Sequence, residues 1–187
     1  MTTADEIIAG LTQPWQHGTH FDGRGLIVEE PLILDGLEIR SLDFSGSHLR
    51  AGLQARGTRF LGMVWFRDAR IDRACELEQA HFRNDLRADG LQADTLNLAA
   101  CRVDGILSLA AAKIGRLDLA GAVVLANMTL EDAEITERAD LSGAEIMGGL
   151  SAAGAEIAQL QDNEAHISGR ISGHISGHIS GRRQPLG

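Results

Sequence analysis

The chain has 187 residues and a formal net charge of −9, with 44% hydrophobic and 23% charged residues, values of a folded chain rather than a disordered one. Aromatics are only 4%, with no Tyr and 22 Gly against 3 Pro, so the interior has to be filled by Leu, Ile, Val and Ala in a thin, regular core. The acidic balance argues against direct nucleic-acid or anionic-membrane binding; two cysteines, Cys75 and Cys101, exclude a disulfide framework, and no apolar run reaches the roughly 20 residues of a membrane span.

At the N-terminus, Met1–Glu6 carries no basic segment, so no secretory signal is read and a cytoplasmic protein is expected. Ala4 to Leu11 reads as a short amphipathic helix with Asp5 and Glu6 in its first turn, the end of the helix dipole that favours acids. Ile7, Ile8, Leu11 and Trp15 are the residues expected to lid whatever follows, and residues 1–20 are assigned to this cap.

From Leu26 to Ile167 the chain keeps a five-residue register. LDLAG, AVVLA, AEITE, ADLSG and AEIMG are examples in chain order, with an apolar residue third and a small or apolar one first. Single-residue inserts interrupt it at Pro31, Gly52, Met63, Ala74, Asp85, Ile106, Asn127, Arg138 and Gly149. Four pentads then make a coil of 20 to 22 residues, with the inserts at two opposite corners. Central residues fall into four columns, two of which read Ile39, Phe60, Phe82, Val103, Val124, Ile146, Ile167 and Val28, Leu49, Ile71, Ala93, Ile114, Ile135, Ile157. First positions alternate between small and large fillers, as close packing of a narrow interior requires. A helical period would scatter these columns, and a continuous two-residue alternation fails at each corner. What remains is an all-β solenoid of about seven coils over residues 21–168, stacked at the strand spacing of about 4.8 Å.

Ala139-Asp140-Leu141-Ser142-Gly143 matches the A(D/N)LXX pentad, and on this motif and register the chain resembles the pentapeptide repeat proteins. The resemblance implies a right-handed quadrilateral β-helix. Triangular β-helices of the bactofilin type use shorter coils than the spacing read here. Pentapeptide repeat proteins include inhibitors and protectors of DNA gyrase, in which an acidic rod occupies a DNA-binding saddle.

After Ile167 the register shortens to HISG and RISG tetrads, and residues 169–187 read as a low-complexity Ile-Ser-Gly tail that is either mobile or a final edge strand. Coil regularity is expected to fail near Gln161–Glu164, because Asp162 falls at a central position.

No catalytic constellation emerges. The tail histidines His166, His174 and His178 lack a carboxylate or cysteine at ligand spacing, and His17, His20, His48 and His81 have no nucleophile at motif spacing. No enzyme, cofactor or metal is therefore expected, and the cysteines are read as small core fillers. Charge runs unevenly along the rod: net −6 over residues 1–39, +2 over 40–103, −8 over 104–165 and +3 beyond. Outward positions hold two apolar clusters on one edge, Leu61, Met63 and Trp65, then Ile106, Val123, Leu125 and Met147, and exposed apolar patches mark interfaces. The expected function is a non-enzymatic scaffold binding a protein partner or itself. The alternative is an acidic DNA mimic working through Asp118, Glu134, Glu137, Asp140, Glu145 and Glu156.

Overall fold

The computed structural model describes residues 2–14 and 16–173, and the backbone of 176–180. Trp15, His174 and the Arg182–Arg183 pair lie outside the described residues, as does the side chain of His178.

Helix α1 spans Ala4–Leu11 and opens on a capping box, in which Glu6 N–H donates to the Thr3 hydroxyl and Thr3 N–H to the Glu6 carboxylate. Ile7 and Leu11 are fully buried on the first coil, with Ile8 partly buried beside them. The chain ladder continues onto the helix, since Arg40 N–H donates to Leu11 C=O at 3.0 Å. Gly10 is required there: a Cβ would stand 2.6 Å from the Phe21 ring. The helix thus closes a sheet end that would otherwise present unpaired edges.

Past the helix, the described residues form a β-solenoid of parallel strands in three sheets, of eight, ten and seven strands. The first sheet runs through Leu42, Val64, Leu86, Leu107, Met128 and Leu150. The second is the longest in strand length. From Arg70–Glu76 onward a single strand of six or seven residues crosses a corner and covers two sides of each coil. The third runs through Ile39, Phe60, Phe82, Val103, Val124, Ile146 and Ile167, so each coil takes 21 or 22 residues. The four expected columns point inward and stack coil on coil. Phe60 and Phe82 lie parallel at 4.5 Å between ring centroids, and Phe44 and Phe66 lie tilted by 33° at 6.0 Å. Cys75 and Cys101 are buried at first positions beside these columns. Burial raises both thiols, Cys101 to about 12.

Inserts occupy the two expected corners. Between the third and first sheets every coil after the first has one, and the long sheet shifts register between Ile71 and Ala74 and again between Ile135 and Ala139. The two remaining turns of each coil place a residue in left-handed backbone, glycine at some (Gly46, Gly90, Gly121, Gly143, Gly154) but a side-chain-bearing residue at Asp68, Gln79, Ala100, Ala111, Asp132 and Glu164, with Ala100 and Ala111 at φ 52° and 54°. An L residue there carries about 1 kcal/mol of strain.

The C-terminal coil departs from expectation. Regularity does not fail at Gln161–Glu164: Leu141 N–H donates to Gln161 C=O, Gly143 N–H to Asn163 C=O, and Ala165 N–H closes the turn on Asp162 C=O. Asp162 is only half-buried, so its carboxylate reaches water and the desolvation cost that argued against the coil does not arise. Backbone pairing also runs on into the tetrads: Ile171–Ser172 pairs with Leu150–Ser151, and Ser176–Ser180 with Glu156–Gln161. Among the described residues no helix is long and apolar enough to cross a membrane.

Candidate interaction surface

The third sheet presents two outward columns, one residue before and one after each inward side chain. Its early coils are polar and internally paired. Arg59 meets Glu38 at 2.8 Å, while Asp104 takes His81 from the coil before at 2.8 Å and Arg102 from its own strand at 2.7 Å. Burial raises the Asp104 carboxyl, but hydrogen bonds from His81 and Arg102 outweigh it and hold the group below the usual carboxylate range. The long sheet repeats the same three-residue cluster on a different side of the rod, with Asp72 between Arg70 (2.7 Å) and His48 (2.8 Å). Hydrogen bonds from Arg70 and then His48 lower the Asp72 carboxyl. Each cluster ties two adjacent coils together, and neither was legible beforehand, because its members are 23 or 24 residues apart.

Past Asp104 the character of this face changes. Val123 is half-buried, Leu125 is 39% exposed and Met147 50% exposed. All three point outward as the periodicity required: Leu125 and Met147 N–H groups donate to Val103 and Val124 C=O at 2.9 and 2.8 Å, which fixes the strand and turns these side chains away from the core. Ile106, half-buried, lies on the neighbouring corner. It borders an open groove of ≈ 280 Å³ with Asn127, Thr129, Ser151, Arg170 and Ser172, floored by Met128 and Leu150.

The corner itself explains why apolar and polar residues alternate there. Two of the extra residues have an N–H that the ladder does not serve, and a side chain from the coil before accepts each. Asp85 accepts from Ile106 at 2.9 Å and Asn127 from Gly149 at 2.8 Å. The coils approach so closely that Gly148 has no room for a Cβ, which would fall 2.5 Å from the Ala126 carbonyl. Asp85 and Asn127 are thus corner caps that the sequence reading treated only as inserts; polar residues two coils apart at one insert column were the available signal.

The other apolar cluster is less open. Leu61, Met63 and Trp65 are all half-buried, and the Trp65 ring makes an edge contact with His20 at 5.8 Å. A coil carrying Arg83, Asp85 and Arg87 separates them from Ile106, so the seven apolar residues form two patches.

The six candidate acids do not share a face. Asp118 and Asp140 are half-buried on the long sheet, each accepting the N–H two residues on, from Ala120 and Ser142 at 2.9 Å. Glu137 is paired with Arg116 at 2.5 Å. Glu134 and Glu156 stand exposed in register on the long sheet, and Glu145 projects from the third sheet.

Among the described residues no group of three His, Cys, Asp or Glu is placed to hold a metal ion. The chain matches no protein-family model and no curated protein sequence. What its coordinates establish is the β-solenoid and the surfaces it displays.

Proposed function

We propose that this chain is a non-enzymatic interaction scaffold of the pentapeptide-repeat kind, which presents flat β-helix faces to a protein partner or to a second copy. The carrying observation is the exposure of Leu125 and Met147 at the ends of strands, where both N–H groups are held by the coil ladder. A rigid strand pair docks at little ordering cost, and water-facing Leu and Met gain from being covered. Support comes also from the regular stacking, in which surface residues hold fixed spacings.

The test is a Leu125→Glu/Met147→Glu double variant. It should keep the circular dichroism and thermal midpoint of the parent, because both positions face water, and should lose a complex captured by cross-linking and mass spectrometry in host extract. Loss of folding in that variant would sink the reading, by showing that the two residues are core.

The DNA-mimic reading keeps one supporting observation, the exposed Glu134–Glu156 pair on the long sheet. Such a complex would dissolve as salt rises, since exposed charges are screened within about 8 Å at physiological ionic strength, and duplex DNA would compete for the site. The scaffold contact would ignore DNA.

A further inference from the structure

On the third sheet, Arg102, Val123 and Glu145 stand directly above one another on three successive coils. Cation, apolar residue and anion therefore follow at steps of about 4.8 Å. Such a run is its own complement. Turned end for end, it presents anion, apolar residue and cation, the sequence of charges that the first run needs.

From this we infer that the apolar patch of the third sheet docks a second copy of this chain, antiparallel, about a two-fold axis lying along the strand through Val123 and Leu125. The inference rests on the interaction reading above and names its occupant. On the axis, Val123 and Leu125 each face their own counterpart. One coil to either side, Arg102 faces Glu145 of the second copy, and the symmetry forms that pair twice.

The charges are available for it. Glu145 is exposed and makes no ion pair among the described residues. Arg102 spends its Nε on Asp104, which leaves its two terminal nitrogens for a carboxylate across the interface. Asp104 would lie opposite Met147 of the second copy, and its charge is already met by His81 and Arg102. A parallel arrangement, with the axis along the rod, would instead set Glu145 against Met147 and cover an unpaired carboxylate with a thioether, which costs free energy. Charge complementarity thus selects the antiparallel pairing.

Sedimentation velocity of the full chain over a concentration series tests this. Wild type should form a dimer that weakens as salt rises. Glu145→Arg, at an exposed position that makes no ion pair among the described residues, should keep the fold and weaken dimerisation about tenfold or more, because two symmetric pairs become repulsive. Arg102→Glu should act alike, and Arg102→Glu/Glu145→Arg should restore the dimer. The inference is overturned by a monomeric wild type, by a dimer indifferent to Glu145→Arg, or by failure of the charge swap to rescue. A monomeric wild type that still loses a foreign partner in Leu125→Glu/Met147→Glu would refute the second copy as occupant and leave the scaffold reading standing.

Discussion

Leu119→Ala measures how tightly the coils are coupled. Leu119 is 2% exposed, stacked between Leu98 at 0% and Leu141 at 4%. The substitution removes three carbons, about 2.4 kcal/mol of transfer free energy at about 0.8 kcal/mol each. The cavity should not collapse. Leu98 N–H is bonded to Asp118 C=O and Leu119 N–H to Asp140 C=O, both at 2.7 Å, so the backbone above and below is held at fixed spacing. A residual void adds to the cost, for a total of roughly 3–4 kcal/mol. For a chain of this size each kcal/mol lowers the thermal midpoint by about 2–4 °C. Urea denaturation followed by circular dichroism reads the total. Native-state amide exchange reads its distribution: because each coil touches only its neighbours, protection should fall around Leu98, Leu119 and Leu141 and persist around Phe60 and Phe82. A loss below about 1 kcal/mol would mean that the column relaxes, against close packing at this site. Uniform loss of protection would mean that the solenoid unfolds as one unit.

Three further outcomes follow from particular contacts. Asn97→Asp, at a position the periodicity alone would rate as silent, should destabilise by about 0.5–1 kcal/mol, because the Asn97 amide donates to Glu76 at 2.9 Å and stands in register with Asp118; thermal melts should show the loss shrinking in high salt, and an unchanged midpoint would refute the contact. Ala111→Gly should stabilise by about 0.5 kcal/mol by relieving left-handed strain, and Gly121→Ala should cost about 1 kcal/mol, since nothing lies within 4 Å of the new Cβ and only its φ of 65° resists; equal melting temperatures for the pair would refute the turn assignment. Asp72 and Asp104 titrate below their ordinary value in the folded chain, so the unfolded chain binds protons first as pH drops; their stabilisation is present above about pH 4 and is lost as pH falls through the lowered values, and Asp104→Asn should flatten that acid limb in a melting series from neutral pH into strong acid.

The solenoid was legible because its signal is periodic. An apolar residue every fifth position, interrupted only at two corners, leaves one way to bury all the columns, and single-sequence spacing therefore determined the inward sets led by Ile39 and Val28 and the outward direction of Leu125 and Met147. The helical cap was legible for a similar local reason, an acidic first turn before Ile7 and Leu11. Tertiary structure alone decided which outward residues meet. His48 with Asp72, His81 with Asp104 and Asn127 with Gly149 lie a full coil apart in the chain and become neighbours only when coils stack. It decided the fate of the acids for the same reason: equal charges in the sequence become turn acceptors at Asp118 and Asp140, an ion pair at Glu137 and exposed carboxylates at Glu134 and Glu145, according to what the adjacent coil places beside them. It also decided the C-terminal coil. The expected break at Asp162 assumed a buried carboxylate, and only the stacking shows that side chain to be half-exposed, where water removes the penalty.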